Sequence, residues 1–168
     1  MSLPKPVICG INGVAAGAGL SLALACDFRI AVDSAQLIEV FINVGLVPDS
    51  ASTFTLPRLV GLAKAFQMCS TAERITGAEA KRLGLVNVSV QTGEVLKAAM
   101  DKYAKKFAVM PTKSLGLIKN LLNNSYSKSL DQILNEEAEA QDIAGKSNDY
   151  REGVNAFLEK RKPKFTGN

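Results

Sequence analysis

The sequence predicts an α/β fold whose first half alternates short strands with helices and whose second half is helical. Apolar, partly β-branched runs of strand length recur at residues 7–11, 27–32, 36–41 and 85–90, separated by turn residues and helix-forming stretches. Beyond residue 90 the apolar positions fall at helical spacing. The chain has 168 residues, 47% of hydrophobic type and 21% charged, which suits a globular unit with a sizeable core. Disordered, collagenous and disulfide-stapled classes are excluded by the same composition.

Residues 7–11 form a buried strand that runs into a turn at Asn12 and Gly13. Ala15, Ala16, Gly17, Ala18 and Gly19 read as a loop of very small residues, leading into a helix over 20–26 whose residues are mostly good helix formers. The run at 27–32 alternates, with Phe28, Ile30 and Val32 on one face, and a second strand follows over 36–41 after a turn at Asp33 and Ser34. Gly45 and Pro48 break the pattern. Asp49 and Ser50 then offer N-cap side chains for a helix toward Leu59, with a kink or restart at Pro57. Gly61 separates this helix from one over 63–69. Thr76 and Glu79 have capping-box spacing, Gly84 is a C-terminal stop, and residues 85–90 read as a strand. Next comes a long helix with Val95, Ala99, Tyr103, Phe107 and Met110 on one face, and another starts at Pro111 and Thr112. Leu130, Ile133, Leu134 and Ala138 stripe a further helix, opposite Glu136, Glu139 and Asp142. No repeat or linker marks a second domain: residues 1–90 form the α/β core and residues 91–168 a helical region of one continuous unit.

The chain has no His, so its chemistry must use carboxylates, backbone dipoles or Lys. Cys9, Cys26 and Cys69 are odd in number, widely spaced and set among apolar residues, which points to buried free thiols in a reducing compartment and to no metal site. There is no apolar signal core and no run approaching the ~20 residues of a membrane span, so the reading is of a soluble, cytoplasmic protein. A net charge of +4 is too small for a nucleic-acid footprint. The basic residues concentrate at Lys160, Arg161, Lys162 and Lys164, where a solvated tail and a contact to the phosphates of a small ligand both fit.

Three features could carry chemistry. Gly17 and Gly19, with Glu39 at the spacing of a ribose-binding acid, form a partial dinucleotide fingerprint, but Leu22 replaces its third glycine. Ser21 sits one residue short of a nucleophile elbow, and without a His to take its proton it reads as structural. The small residues themselves open the N–H groups of Ala18 and Gly19 at a helix start to an anion or oxyanion, although close packing of helix on strand would want the same residues. Asp49 follows the apolar loop of Leu46, Val47 and Pro48, where burial would raise its pKa and suit it to move protons. A plain N-cap is the alternative.

Taken together these segments resemble the crotonase superfamily of enoyl-CoA hydratases and isomerases. The likeness runs through residues 6–19 and 25–27, then Gly45 to Asp49, Leu56 to Gly61, Ala78 to Ala80 with Gly84 to Val86, and ends in Glu152, Gly153, Ala156, Phe157 and residues 159–165. The resemblance implies a partial ββα spiral followed by a helical C-terminal region. It implies an acyl-CoA thioester as substrate, with coenzyme A as part of that substrate and no further cofactor. The Ala18 N–H, with Gly19, would serve the thioester oxygen. Gly17, Phe41, Leu46, Val47 and Pro48 would line the acyl site, and Phe157 and Lys160 would meet the CoA moiety. Positions of the two hydratase glutamates match Ser21 and Phe41, neither of which activates water. Asp49 matches the acid/base of the isomerase branch that includes the phenylacetate-pathway enzymes, so isomerisation through a thioester enolate is the expected reaction. A CoA-thioester hydrolase and a domain that only folds and oligomerises are the alternatives. The family's trimers or pairs of trimers imply a homo-oligomer. Only five residues precede Pro6, so the chain reads as the C-terminal portion of such an enzyme.

Overall fold

The structure is a computed structural model that describes residues 2–168. Its strands are short, and parallel pairing sets their places. Strands β1 (Ile8–Ile11) and β2 (Val14–Ala16) lead into helix α1 (Ala18–Leu24), and β3 (Phe28–Val32) and β4 (Gln36–Ile38) repeat the two-strand step. A 3₁₀ turn (Val40–Val44) leads on to helices α2 (Ser52–Val60) and α3 (Leu62–Thr71). β5 (Ile75–Thr76), α4 (Gly77–Leu83) and β6 (Val88–Val90) follow. β3 lies between β1 and β6, parallel to both, while β4 lies between β2, parallel, and β5, antiparallel. This winding of strand, strand and helix over two sheets is the partial ββα spiral that was expected.

Helices α5 (Gly93–Ala108), α6 (Thr112–Asn124), α7 (Leu130–Gly145) and α8 (Asn148–Leu158) complete the chain. It packs as two compact units, one of Val7–Tyr103 and one of Ala104–Asn168 with the segment up to Pro6. The last strand ends at Val90, yet the first turns of α5 stay with the strands because Leu96, Ala99, Met100 and Tyr103 pack on their core. No helix among the described residues is long and apolar enough to cross a membrane.

Several local expectations give way to tertiary context. Ala15 and Ala16 are not loop: they form β2, because β4 offers them a parallel partner. The alternation read in β3 is not a half-buried strand, since Arg29, Ile30, Ala31 and Val32 are all buried, as a central strand of a parallel sheet requires. α2 runs unbroken through Pro57. Val95 is exposed and Leu96 takes its place on the buried face of α5. The three thiols are free but only half-buried, and burial, with Cys26 beside it, pushes the Cys9 thiol up to about 11. The caps at Thr76, which accepts from the Glu79 N–H, and at left-handed Gly84 are as expected.

Arg29 is the core's buried cation. Its Nε donates to Leu85 O at 2.6 Å, and its Nη1 to Cys26 O at 2.5 Å and Leu24 O at 3.4 Å, so one side chain closes the carbonyl end of α1 against the Leu85 segment. A cation suits the negative end of a helix dipole, and the fork of donors reaches carbonyls of two segments at once.

In the helical unit, Ser129 and Gln132 form a capping box at the start of α7. The apolar stripe of α7 remains largely uncovered, with Leu130, Leu134 and Ala138 exposed and Ile133 half-buried. The C-terminal tail folds back on α8. Buried Asp149 accepts from the N–H groups of Thr166 at 2.7 Å and Gly167 at 2.8 Å, and Glu152 accepts from Lys164 N at 2.7 Å. Arg161 binds Glu152 with two parallel hydrogen bonds, 2.6 and 2.9 Å, and holds its carboxyl down to about 2.

Replacing Arg29 by Met would strand the Leu85 and Cys26 carbonyls inside the core. Urea unfolding of Arg29→Met should show a loss of about 2–4 kcal/mol, the range for removing the charged partner of buried acceptors.

Candidate active site

The site begins where β2 and β4 end together. Parallel strands leave a sheet at the same edge, so the segments after Ala16 and after Ile38 emerge side by side. Gly17 N–H extends the ladder by bonding Ile38 O at 3.0 Å, and the chain then turns sharply into α1 with Gly17 at φ 52°, ψ −124°. A Cβ there would be strained and would sit 3.3 Å from both the Phe41 ring and Val40. Glycine at 17 is therefore a requirement of the turn. Gly19 is different, since a Cβ at that position meets nothing within 4 Å. Ala18 and Gly19 are both exposed, and their N–H groups, in the first turn of α1, have no acceptor within the helix. Tight packing thus explains Gly17, whereas the ground above Ala18 and Gly19 is open.

Ser21 ties this helix start to Asp49. Its completely buried Oγ lies 3.2 Å from Gly17 O and 3.1 Å from Asp49 O, bridging carbonyls from two distant segments. Leu46 N–H bonds Phe41 O at 3.0 Å, so the loop that carries Leu46, Val47, Pro48 and Asp49 folds back on the Phe41 turn. The structure thereby brings together Gly17, Ala18, Gly19, Phe41 and the Asp49 loop. Ser21 is structural, as expected, but the object of its hydrogen bond was not foreseeable.

Asp49 differs from expectation in two respects. It is not an N-cap: the cap of α2 is Ala51, left-handed at φ 68°, preceded by left-handed Ser50 at φ 50°. Nor does the apolar loop bury it, because Asp49 and Leu46 are exposed and Val47 is 79% exposed. The burial considered for Asp49 belongs instead to Glu39, which is completely buried. Glu39 directly follows β4, after buried Leu37 and Ile38, so no alternation in the sequence marked it as inward. Its Oε2 accepts from Ser52 Oγ at 3.5 Å, and its Oε1 is buried without a partner. Burial pushes the Glu39 carboxyl up from its ordinary value; the Ser52 hydrogen bond opposes this, and the Asp49 charge adds to it. Complete burial also removes Glu39 from any ribose-binding role. Among the described residues no three His, Cys, Asp or Glu side chains come together to hold a metal.

The whole of residues 1–168 matches the enoyl-CoA hydratase/isomerase family. The chain belongs to that family. It is 44% identical to the 1,2-epoxyphenylacetyl-CoA isomerase of Escherichia coli, over 98% of this chain and 63% of the relative. With the crotonyl-CoA hydratase of Syntrophomonas wolfei it shares 38% identity, over 98% of this chain and 63% of the relative. The crystal structure of an enoyl-CoA hydratase from Bacillus anthracis superposes with a TM-score of 0.93 at 37% identity, covering 99% of this chain and 64% of that one. The chain thus spans just under two thirds of the length of the relatives it matches.

The remaining candidates of this family member, Phe157 and Lys160, lie in the helical unit. Phe157 is 82% exposed and lines an apolar groove with Pro111, Tyr150, Val154 and Phe165. Lys160 N–H bonds Phe157 O and Arg161 N–H bonds Ala156 O, a Schellman turn in which the left-handed position, usually Gly, is Lys160 at φ 53°. Arg161 is committed to Glu152 and Glu159, whereas the Lys160 ammonium has no partner among the described residues.

Two substitutions should move stability in opposite directions. Gly17→Ala should cost about 1–2 kcal/mol or more from its positive φ alone, and Ala51→Gly should gain roughly 1 kcal/mol by relieving left-handed strain. Paired chemical denaturation curves read both.

Proposed function

We propose that this chain shifts a double bond within an acyl-CoA thioester, using Asp49 as acid/base and the Ala18 N–H as a donor to the thioester oxygen. The observation that carries this reading is the Ser21 hydroxyl, which ties the Asp49 backbone to the helix start at Gly17 and Ala18. In the reaction, the Asp49 carboxylate takes a proton from one carbon of the substrate. The electron pair left behind delocalises into the thioester as an enolate, whose oxygen is met by the Ala18 N–H. Asp49 then returns the proton to another carbon, so one carboxylate suffices and no atom is gained or lost. An exposed Asp49 and an open helix start leave both groups within reach of a substrate. Gly17 and Phe41 form the wall beside the reacting carbons, and Leu46, Val47 and Pro48 offer apolar contact to the acyl chain.

Hydration is disfavoured because it needs a water activated by glutamates. Ser21, one of the two positions concerned, is occupied by its carbonyl contacts, and Phe41, the other, has no ionisable group. The Escherichia coli relative, named as an isomerase of 1,2-epoxyphenylacetyl-CoA, supports isomerisation of an acyl-CoA thioester over hydration. Three free thiols fit a reducing compartment such as the cytoplasm.

Lys160 and Phe157 are assigned to the CoA moiety. A non-glycine residue held left-handed is a strained choice, and the charge it presents is free to meet a phosphate. The uncovered stripe of Leu130 and Leu134 is assigned to contacts between copies, as a trimer or hexamer.

Asp49→Asn should slow double-bond migration in enoyl-CoA substrates by ~10²- to 10⁴-fold while acyl-CoA binding persists; an unchanged rate removes Asp49 from the role. Lys160→Gly separates structure from binding. It should stabilise the chain by about 1 kcal/mol through relief of the left-handed backbone. Acyl-CoA affinity should fall ~10-fold through loss of a charge-assisted hydrogen bond, most clearly at low salt. Calorimetric titration beside a thermal melt measures both, and undiminished affinity would detach Lys160 from CoA.

A further inference from the structure

Glu39 takes no part in the chemistry above, and a completely buried carboxyl is costly enough to need a reason. What it touches is the turn that carries Asp49. Asp49 O accepts from Ser52 N–H at 3.1 Å, closing a turn whose inner residues, Ser50 and Ala51, are both left-handed. Two successive residues with a Cβ in that region are strained, and such strain persists only where the surroundings over-determine it. Here a buried hydroxyl stands at each end. Ser21 Oγ holds Asp49 O at 3.1 Å, and the completely buried Ser52 directs its Oγ to Glu39 Oε2 at 3.5 Å.

We propose that Glu39 is a positioning residue for Asp49: its carboxyl anchors Ser52 beneath the turn as Ser21 anchors the Asp49 carbonyl, and together the two anchors keep the left-handed pair from relaxing. The inference rests on the reading of Asp49 as the acid/base. The groups facing Glu39 are Ser52 from α2, Asp49 from the turn and Cys69 from α3, and these carry no positive charge. Ionised Glu39 would therefore place a second negative charge behind Asp49 without a counter-charge. Burial and Asp49 both favour the neutral acid, whereas the Ser52 hydroxyl favours the carboxylate, so raising the pH through the elevated Glu39 pKa keeps the Ser52 contact but sets an uncompensated negative charge behind Asp49.

Steady-state isomerisation and amide hydrogen exchange at position 52, in the 168-residue chain, test this. Glu39→Gln, neutral and of the same shape, should keep kcat within about 3-fold of the parent and lose the parent's decline above the ordinary carboxylate range. Glu39→Leu and Ser52→Ala remove the anchor from opposite ends. Each should lower kcat ~10- to 100-fold with KM changed less than about 2-fold, the signature of a misplaced acid/base. The position-52 amide should exchange ~10-fold faster or more, while the sheet amides keep parent rates. Ser52→Ala barely changes the core volume and covers the case in which Glu39→Leu does not fold. Parent kcat and parent exchange in these variants, or a loss confined to KM, overturn the proposal. A parent chain without isomerase turnover overturns the Asp49 reading instead, and the position-52 exchange rates then decide alone whether Glu39 holds the turn.

Discussion

The parallel pairing of β2 with β4 is the constraint on which the site depends. Because both strands end at one edge, the chain after Ala16 and the chain after Ile38 leave the sheet as neighbours, and the Gly17 N–H to Ile38 O bond locks them there. From that point the backbone has to reverse into α1, which only a left-handed residue without a Cβ accomplishes beside Phe41 and Val40. The exposed first turn of α1, the Phe41 wall and the return of the Asp49 loop all follow from this shared exit. The arrangement is the one parallel α/β sheets favour generally, with ligands received beyond the carboxyl ends of the strands.

Two carboxylates stand near this edge in opposite environments. Asp49 is exposed on a strained turn, where it can meet a substrate; Glu39 is buried beneath the same turn, where it cannot. Environment, and not residue type, separates a carboxyl open to solvent from one held in a buried hydrogen bond. The hydroxyls between them, Ser21 and Ser52, are fully buried, and in a medium of low dielectric such neutral contacts specify geometry without the desolvation cost of an ion pair.

The helical unit spends its charges differently. Arg161, Glu152 and the backbone of Lys164 form a small network that fastens the tail to α8, and buried Asp149 fastens its last residues. Exposed ion pairs of this kind add little stability one by one, but here they choose a path for the tail. With Arg161 occupied, Lys160 at the helix end is left as an available cation on a strained backbone.

Much of the architecture was readable from local pattern. β-Rich runs placed β1, β3 and β4, the Thr76 and Glu79 spacing placed α4, Gly84 stopped it, and the small residues from Ala15 to Gly19 marked the turn into α1. These signals are short-range, set by torsional preference and side-chain period within a few residues. The rest was decided by partners far along the chain. Ala15 and Ala16 became a strand because β4 was there to pair with them, and α2 continued through Pro57. Arg29 was buried because carbonyls of α1 and of Leu85 needed its donors. The Ser21 hydroxyl met a carbonyl 28 residues away, and Glu39 came to lie beneath the turn that carries Asp49. Sequence alone therefore determined which residues were small, acidic or apolar and the order of most helices and strands. Tertiary structure decided which acid is exposed and which is buried, because burial and strand pairing are properties of contacts between distant segments, to which local preference is blind.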